Sequence, residues 1–212
     1  MTISATQCTV NSAGLSGTER LLLLTPGPHG EQILPELLKQ LSGHDCVVLE
    51  SDRRRLLDVG NGSTKVHRVL GRAARLPFVK HSFDAILSFE SLYAIRPPWT
   101  VLAEFHRVLV PDGKLILFEP AAHGVFSALR DRIAGPGKRI FTPEEVKFRL
   151  ARGDWDIQQL EEIASVAGMR HPAYCVRAIK KENPAEPVPQ FLTAKEMIER
   201  RKKKHPQGEE LP

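Results

Sequence analysis

Arg20-Leu-Leu-Leu-Leu-Thr25, followed directly by Pro26-Gly-Pro-His-Gly30, is the stretch that decides the fold. Four leucines in a row leave no polar side for solvent, so the run lacks the alternation of a half-exposed strand. Such a run is typical of a strand buried on both faces of a parallel sheet. The proline and glycine residues that follow indicate a turn. The stretch therefore predicts a central strand that ends in a glycine-bearing turn.

Further apolar runs alternate with amphipathic segments along the first half of the chain. Strand, helix and strand repeated with short connections predict an α/β fold, with a doubly wound, mainly parallel sheet and helices on both faces. The turn residues Pro111-Asp-Gly113 separate the last helix of this half from its last strand. Strands are predicted over 46–50, 66–70, 83–88 and 114–118, and helices over 33–41, 53–59 and 100–109.

The pattern changes after Pro120. We predict one helix over 125–133 and another that begins at Thr142, because this threonine is followed by proline and then by glutamate at the third helical position. A further helix is predicted over 154–167. Residues 169–179 have room for one strand or for two very short ones.

Composition divides the chain into four parts. Residues 1–18 are rich in serine, threonine and glycine, which predicts a flexible N-terminal arm. Residues 19–180 contain the predicted domain. Residues 181–192 hold several prolines and are predicted to form an extended linker. Residues 193–212 are predicted to form a basic helix, ending near residue 204, and a tail.

The formal net charge is +5, and much of the excess lies in Arg200-Arg-Lys-Lys-Lys204. We favour a solvated helix end, where cations also suit the helix dipole. The basic helix could alternatively dock an acidic protein partner. A nucleic-acid partner would use this tail together with Arg53-Arg-Arg55 and Arg72. We consider that partner unlikely, because no aromatic residues are interleaved there to stack on bases.

Other classes of protein are excluded by simpler counts. No apolar run approaches the length of a membrane helix, and the N-terminus has no secretory pattern. The three cysteines have no paired spacing, which predicts neither a disulfide framework nor a metal site. His171 and Cys175 would not converge on one metal from a strand. A reducing cytoplasm is the expected location.

Two segments carry a resemblance to a known family. The first is Leu70-Gly-Arg-Ala-Ala-Arg-Leu-Pro-Phe78, which continues as His81-Ser-Phe-Asp-Ala-Ile86. The second is Leu102-Ala-Glu-Phe-His-Arg-Val-Leu109, which continues as Pro111-Asp-Gly-Lys-Leu-Ile-Leu-Phe-Glu-Pro120. Together with the turn at 25–30, they resemble class I S-adenosylmethionine (SAM)-dependent methyltransferases of the ubiquinone and menaquinone biosynthesis type. The resemblance covers residues 20–120 well and 121–179 in outline.

The resemblance implies a Rossmann-like fold, SAM as cofactor and a small molecule as methyl acceptor. Ligands of such sheets bind at the carboxyl ends of the strands, where a glycine turn allows close approach and an acidic residue accepts the ribose hydroxyls. Glu50, which ends the second predicted strand, is the acidic residue. The residues implied in cofactor binding are Thr25, Gly27, Glu50, Ser51, Arg72, Ala73 and Phe89.

Two positions depart from the family pattern. Leu23 stands where the first strand usually carries an acidic residue, and Arg72 stands where an aspartate accepts a hydrogen bond from the adenine amino group. A guanidinium cannot accept that bond. The departures leave two interpretations: a pocket reshaped for SAM or for an anionic ligand, or a catalytically inactive scaffold that works through protein contacts.

Methyl transfer asks little of the protein beyond alignment and, for some acceptors, removal of a proton. Residues after the fourth and fifth strands line such sites in the family. The two candidates for a catalytic role are Tyr93, which could contact substrate, and His123, which could act as a general base. His106 is predicted to be structural. The other residues of these two segments are Phe89, Glu90, Ser91 and Glu119.

Overall fold

The computed structural model describes residues 15, 19–24, 38–39, 41, 45–59, 66–95, 97–121, 140–163 and 173–181. Seven strands form one sheet. In chain order they are β1 Arg20–Leu24, β2 Asp45–Glu50, β3 Val66–Leu70, β4 Phe83–Phe89, β5 Leu109–Pro120, β6 Trp155–Ile163 and β7 Ala173–Lys180.

The strand order across the sheet is β3-β2-β1-β4-β5-β7-β6. Strands β1 to β5 run parallel to one another, whereas β7 is antiparallel to β5 and β6 is antiparallel to β7. The chain builds outward from β1 in one direction through β2 and β3, and then in the other direction through β4 and β5. This reversal between β1 and β4 creates a crevice at the carboxyl ends of the strands. The predicted doubly wound, mainly parallel sheet is confirmed.

Four helices are described: α1 Arg53–Asp58, α2 Ser91–Ala94, α3 Pro98–Val108 and α4 Pro143–Ala151. Helix α1 begins after Asp52, whose side chain accepts hydrogen bonds from the backbone N–H groups of the next turn. Helix α4 begins at a capping box, in which the Thr142 hydroxyl accepts from the Glu145 N–H while the Glu145 carboxylate accepts from the Thr142 N–H. The predicted start of this helix is therefore confirmed, as are the helices expected over 53–59 and 100–109.

The apolar core lies on both faces of the sheet, and β1 contributes to each. Leu22 and Leu24 pack on one face with the buried side of α3, while Leu21 and Leu23 pack on the other. All four leucines are buried, which confirms the prediction from the opening stretch. Leu23 pairs in register with Leu87 and is fully enclosed, so its side chain belongs to the core.

The helix predicted over 154–167 is wrong, because Trp155–Ile163 is strand β6. Its apolar residues Ile157 and Leu160 are three apart, a spacing typical of a helix face. The strand register shifts between Ile157 and Gln159, so one extra residue bulges there. A bulge returns the following side chains to the original face, which turns a strand period of two into a local spacing of three.

Two further expectations differ in detail. The turn predicted at Pro111-Asp-Gly113, between the helix and the last strand of the first half, lies inside β5, where Asp112 has a φ of 58° and the pairing with β4 is irregular. The single strand predicted within 169–179 is β7. Several predicted segments lie outside the described residues: nearly all of the arm 1–18, most of the helix 33–41, the helix 125–133, and, beyond Lys181, the linker 181–192 and the basic segment 193–212.

Candidate functional site

A cavity of about 410 Å³ opens at the carboxyl ends of β1 to β4, where the strand order reverses. Its volume lies within the range of small-molecule sites. Its walls come from the last residues of β1 and β2, from the turn that follows β3, and from the junction between β4 and α2. Among the described residues, the cavity brings together Glu50, Ser51, Arg72, Ala73 and Phe89, five of the seven residues predicted to bind the cofactor.

Among the described residues, Glu50 is, with Glu90, one of the two acidic residues that line this cavity. It ends β2, is 5% exposed, and its Oε1 accepts hydrogen bonds from the backbone N–H of Ser51 at 2.6 Å and of Asp52 at 2.8 Å. The two amides fix the orientation of the carboxylate at the mouth of the strand. A carboxylate held in this way is a ready acceptor for ligand hydroxyl groups.

Two arginines face the same cavity. The Arg55 guanidinium extends from α1, and its Nη2 lies 3.6 Å from Glu50 Oε1. Arg72 lies in the turn after β3, which closes with a hydrogen bond from the Arg75 N–H to the Arg72 carbonyl at 3.0 Å. A ligand in this cavity would therefore meet two carboxylates, those of Glu50 and Glu90, and two guanidinium groups. The sequence singled out Arg72, but Arg55 was considered only as a nucleic-acid contact.

Gly71 allows the floor of the cavity to close tightly. A Cβ at this position would lie 2.8 Å from Leu49 Cδ1 and 3.3 Å from Pro77 Cδ. The Gly71 N–H donates to the Glu50 carbonyl at 2.9 Å, which ties the turn to the end of β2. A larger residue would separate these elements and displace Arg72 and Ala73 from the cavity wall.

A second buried carboxyl group lies behind the cavity wall that is formed by the junction between β4 and α2. Glu119, near the end of β5, is 1% exposed and accepts hydrogen bonds from the backbone N–H groups of Leu92 and Tyr93, both at 3.0 Å. Ser91, which lines the cavity, has its Oγ 3.4 Å from Glu119 Oε1. Burial is the main cause that raises the pKa of Glu119 to about 8, and the charge of Glu90 adds to it. Glu119 therefore holds α2 in place with a proton on its carboxyl group at neutral pH.

We predict that Glu119 makes the protein less stable as the pH rises. The carboxyl group ionises near 4.5 in an unfolded chain but near 8 in the fold, so its contribution is complete below about 4.5 and is lost between about 4.5 and 8. Relative to Glu119→Gln, the wild-type free energy of unfolding should fall by up to about 5 kcal/mol over that window. Urea unfolding at several pH values measures the difference. Glu162→Gln, on the exposed edge strand, is the control, and parallel profiles for wild type and Glu119→Gln would contradict the prediction.

The two catalytic candidates have different outcomes. Tyr93 lies on α2, half-buried, and is not among the residues that line the cavity. Burial raises the pKa of its hydroxyl, and the charge of Glu90 adds to the rise. His123 lies outside the described residues, as do the cofactor candidates Thr25 and Gly27. The roles of all four stay predictions. Within the described ranges, no cluster of three or more histidine, cysteine or acidic side chains could hold a metal ion.

None of the helices that the structure describes is long and apolar enough to cross a membrane.

Comparison with known proteins agrees with this geometry. Residues 30–117 match a family described as a methyltransferase domain. The ubiquinone/menaquinone biosynthesis C-methyltransferase of Legionella pneumophila is 33% identical over 114 residues, which are 53% of this chain and 42% of that protein. The corresponding enzyme of Hahella chejuensis is 31% identical over 93 residues, 44% of this chain and 34% of that protein. The chain thus spans less than half the length of these curated relatives.

Solved structures share the fold at low sequence identity. A candidate methyltransferase from Bacillus halodurans superposes with a TM-score of 0.67 at 15% identity, covering 84% of this chain and 99% of that one. The cyclase SpnF superposes with a TM-score of 0.66 at 18% identity, covering 83% and 79%. Residues 30–117 thus match the family expected from the two sequence segments, and the expected fold is confirmed. The second structure also shows that one fold can carry a different reaction.

Proposed function

Since the chain contains a domain of the class I SAM-dependent methyltransferase family, we propose that it binds SAM in the cavity at the ends of β1 to β4 and transfers the methyl group to a small molecule. The observation that carries this proposal is Glu50. It ends β2 at the point where the strand order reverses, and two backbone amides orient its carboxylate. This is the chemistry required to hold the two hydroxyls of a ribose.

The remaining walls fit the adenosine half of SAM. Ala73 and Phe89 supply apolar surface for a flat base, and Gly71 lets the backbone come close. Arg72 would donate to ring nitrogens of the base rather than accept from its amino group, because a guanidinium has only donors. Arg55 partly neutralises Glu50 and closes over its carboxylate. The fit is therefore complete for the ribose and altered in polarity for the base.

SAM supplies an activated methyl group when it is bound, so the protein has to align the acceptor and exclude competing water. The junction of β4 and α2 is the wall suited to this task. Glu90 there has a φ of 53°, which is rare for a residue other than glycine and turns the chain sharply into α2. Its N–H donates to the Phe118 carbonyl at 2.7 Å, which fixes the turn against β5. Ser91 then faces the cavity with Glu119 behind it.

Calorimetry with SAM and with S-adenosylhomocysteine tests the cofactor proposal. We expect saturable heat with both ligands, with dissociation constants in the range of about 1 µM to 1 mM. Adenosine alone should compete, because Glu50, Gly71 and Ala73 all face the adenosine half. The absence of heat from either ligand at about 10 mM would contradict the enzyme and favour the inactive scaffold. In that case Leu23 and Arg72 would be the residues to examine first.

The small-molecule acceptor is supported by the named activity of the curated relatives, which act in quinone biosynthesis. Methyl-labelled SAM, incubated with the protein and a cell extract, tests this class directly. Label should appear in the solvent-extractable small molecules. Label confined to protein or RNA would contradict it. A cytoplasmic location stays part of the proposal, and the buried Cys46 thiol, which forms no disulfide, agrees with it.

A further inference from the structure

A second groove, of about 480 Å³, lies between α3 and the end of α4, away from the cofactor cavity. No residue lines both. Its apolar walls are Trp99 and Leu102 from α3 and Trp155 from the start of β6. Trp155 is 2% exposed, so the groove reaches the core of the domain. Of these residues, the half-buried Trp99 offers an apolar ring surface to an aromatic ligand.

Positive charge lies along the rim of this groove. Arg149 and Arg152 are three residues apart, at the last turn of α4 and just beyond it. The Arg149 guanidinium lies 4.6 Å from the centre of the Trp99 ring, and that of Arg152 lies 5.4 Å from the Phe148 ring. Stacking on aromatic rings limits the freedom of both guanidinium groups.

Neither arginine is neutralised within the part of the chain that the structure describes. No carboxylate there lies within ion-pair distance of either guanidinium. Asp154 is the one acidic residue on the wall, so the charged lining carries a net charge of +1. Because Arg149 and Arg152 both line the groove, a carboxylate that enters it would meet two guanidinium groups, each able to donate to its oxygens.

A polar atom without a partner lies inside the same groove. The Nε2 of His106 is buried and has no hydrogen-bond partner among the described residues, while its ring packs edge-on against Trp155 at 5.3 Å. Burial lowers the pKa of His106, and the charge of Lys180 lowers it further. The neutral imidazole can donate or accept one hydrogen bond, and leaving it unpaired costs about 1–3 kcal/mol.

We propose that this groove is a second ligand site, which binds a small aromatic carboxylate with its ring against Trp99 and its carboxylate on Arg149 and Arg152. The site does not depend on the cofactor proposal, because it shares no residue with the first cavity.

Tryptophan fluorescence reports on this groove alone, because the chain has two tryptophans and both line it. The probes are phenylacetate and its neutral isostere phenylacetamide, neither of which absorbs at the excitation wavelength for tryptophan. We expect saturable quenching by phenylacetate at submillimolar concentration, with phenylacetamide at least about tenfold weaker. Calorimetry with the full chain provides the second measurement.

The double variant Arg149→Ala/Arg152→Ala should weaken phenylacetate binding by at least about tenfold and leave phenylacetamide binding unchanged. Both side chains are exposed, so the fold should persist, and the thermal unfolding midpoint checks this. Arg53→Ala, an exposed arginine outside both cavities, is the matched control. Equal affinity for the two probes, an unchanged affinity in the double variant, or no binding of phenylacetate at about 10 mM would each overturn the proposal.

Discussion

Replacing Glu50 with glutamine is expected to weaken the binding of SAM and S-adenosylhomocysteine by about a hundredfold. Glutamine keeps the size of the side chain and one oxygen that can accept from the Ser51 and Asp52 amides, so the end of β2 should keep its shape. The negative charge that attracts the ligand hydroxyls is lost, and hydrogen bonds to a charged acceptor contribute more than neutral ones. Calorimetry with S-adenosylhomocysteine measures the change.

Asp58→Asn is the matched control for this variant. Asp58 is the last residue of α1 and is exposed, so the substitution removes the same charge outside the cavity. Its affinity should stay within about twofold of wild type. If Glu50→Gln binds as tightly as wild type, the ribose is not held at Glu50, even where SAM itself binds. That outcome would refute the assigned geometry while leaving the family membership intact.

Phe105→Ala is expected to lower the free energy of unfolding by about 3–5 kcal/mol. Phe105 is completely buried on α3 and packs in the core cluster that also contains Leu22, Ile86 and Leu117. Alanine would remove the ring from the contact between this helix and the sheet and leave a cavity that the parallel strands cannot close. The thermal midpoint should fall by about 10 °C. Urea unfolding and differential scanning calorimetry measure both quantities.

Phe148→Ala is the control that separates the effect of burial on stability from the effect of removing a phenylalanine ring. Phe148 lies on α4 with 57% of its surface exposed. Its replacement removes the same ring from a position that gains little by folding, so the free energy of unfolding should change by less than about 1 kcal/mol. Comparable losses in the two variants would show that the contact between α3 and the sheet does not dominate the stability of this domain.

The first half of the fold could be predicted from the sequence, because the local conformational preferences of its residues agree with the tertiary structure there. The leucines of β1 are buried on both faces, and a strand with no polar side can be placed only inside a parallel sheet. Helix α4 was equally readable at its start, since the capping box at Thr142 and Glu145 depends only on neighbouring residues. Both features are encoded within a few residues, and no distant contact competes with them.

Strand β6 could not be predicted in the same way. Its apolar residues follow a helical spacing, and only the pairing with β7 shows that a bulge near Gln158 produces that spacing. Such a bulge is a response to a partner strand, so it leaves no independent signal in the segment itself. The secondary structure of such an edge segment therefore depends on its pairing with the neighbouring strand.

The succession of strands and helices in the first half of the chain, the resemblance to the methyltransferase family, and Glu50 as the acidic residue at the end of β2 could all be predicted from the sequence. This was possible because those features rest on residues close together in the chain. Only the tertiary structure showed that Arg55 turns toward Glu50, that Glu119 supports α2 from β5, and that both tryptophans meet in one groove. These contacts join residues from different elements. Their distances depend on how helices and strands pack, and local sequence does not specify that packing.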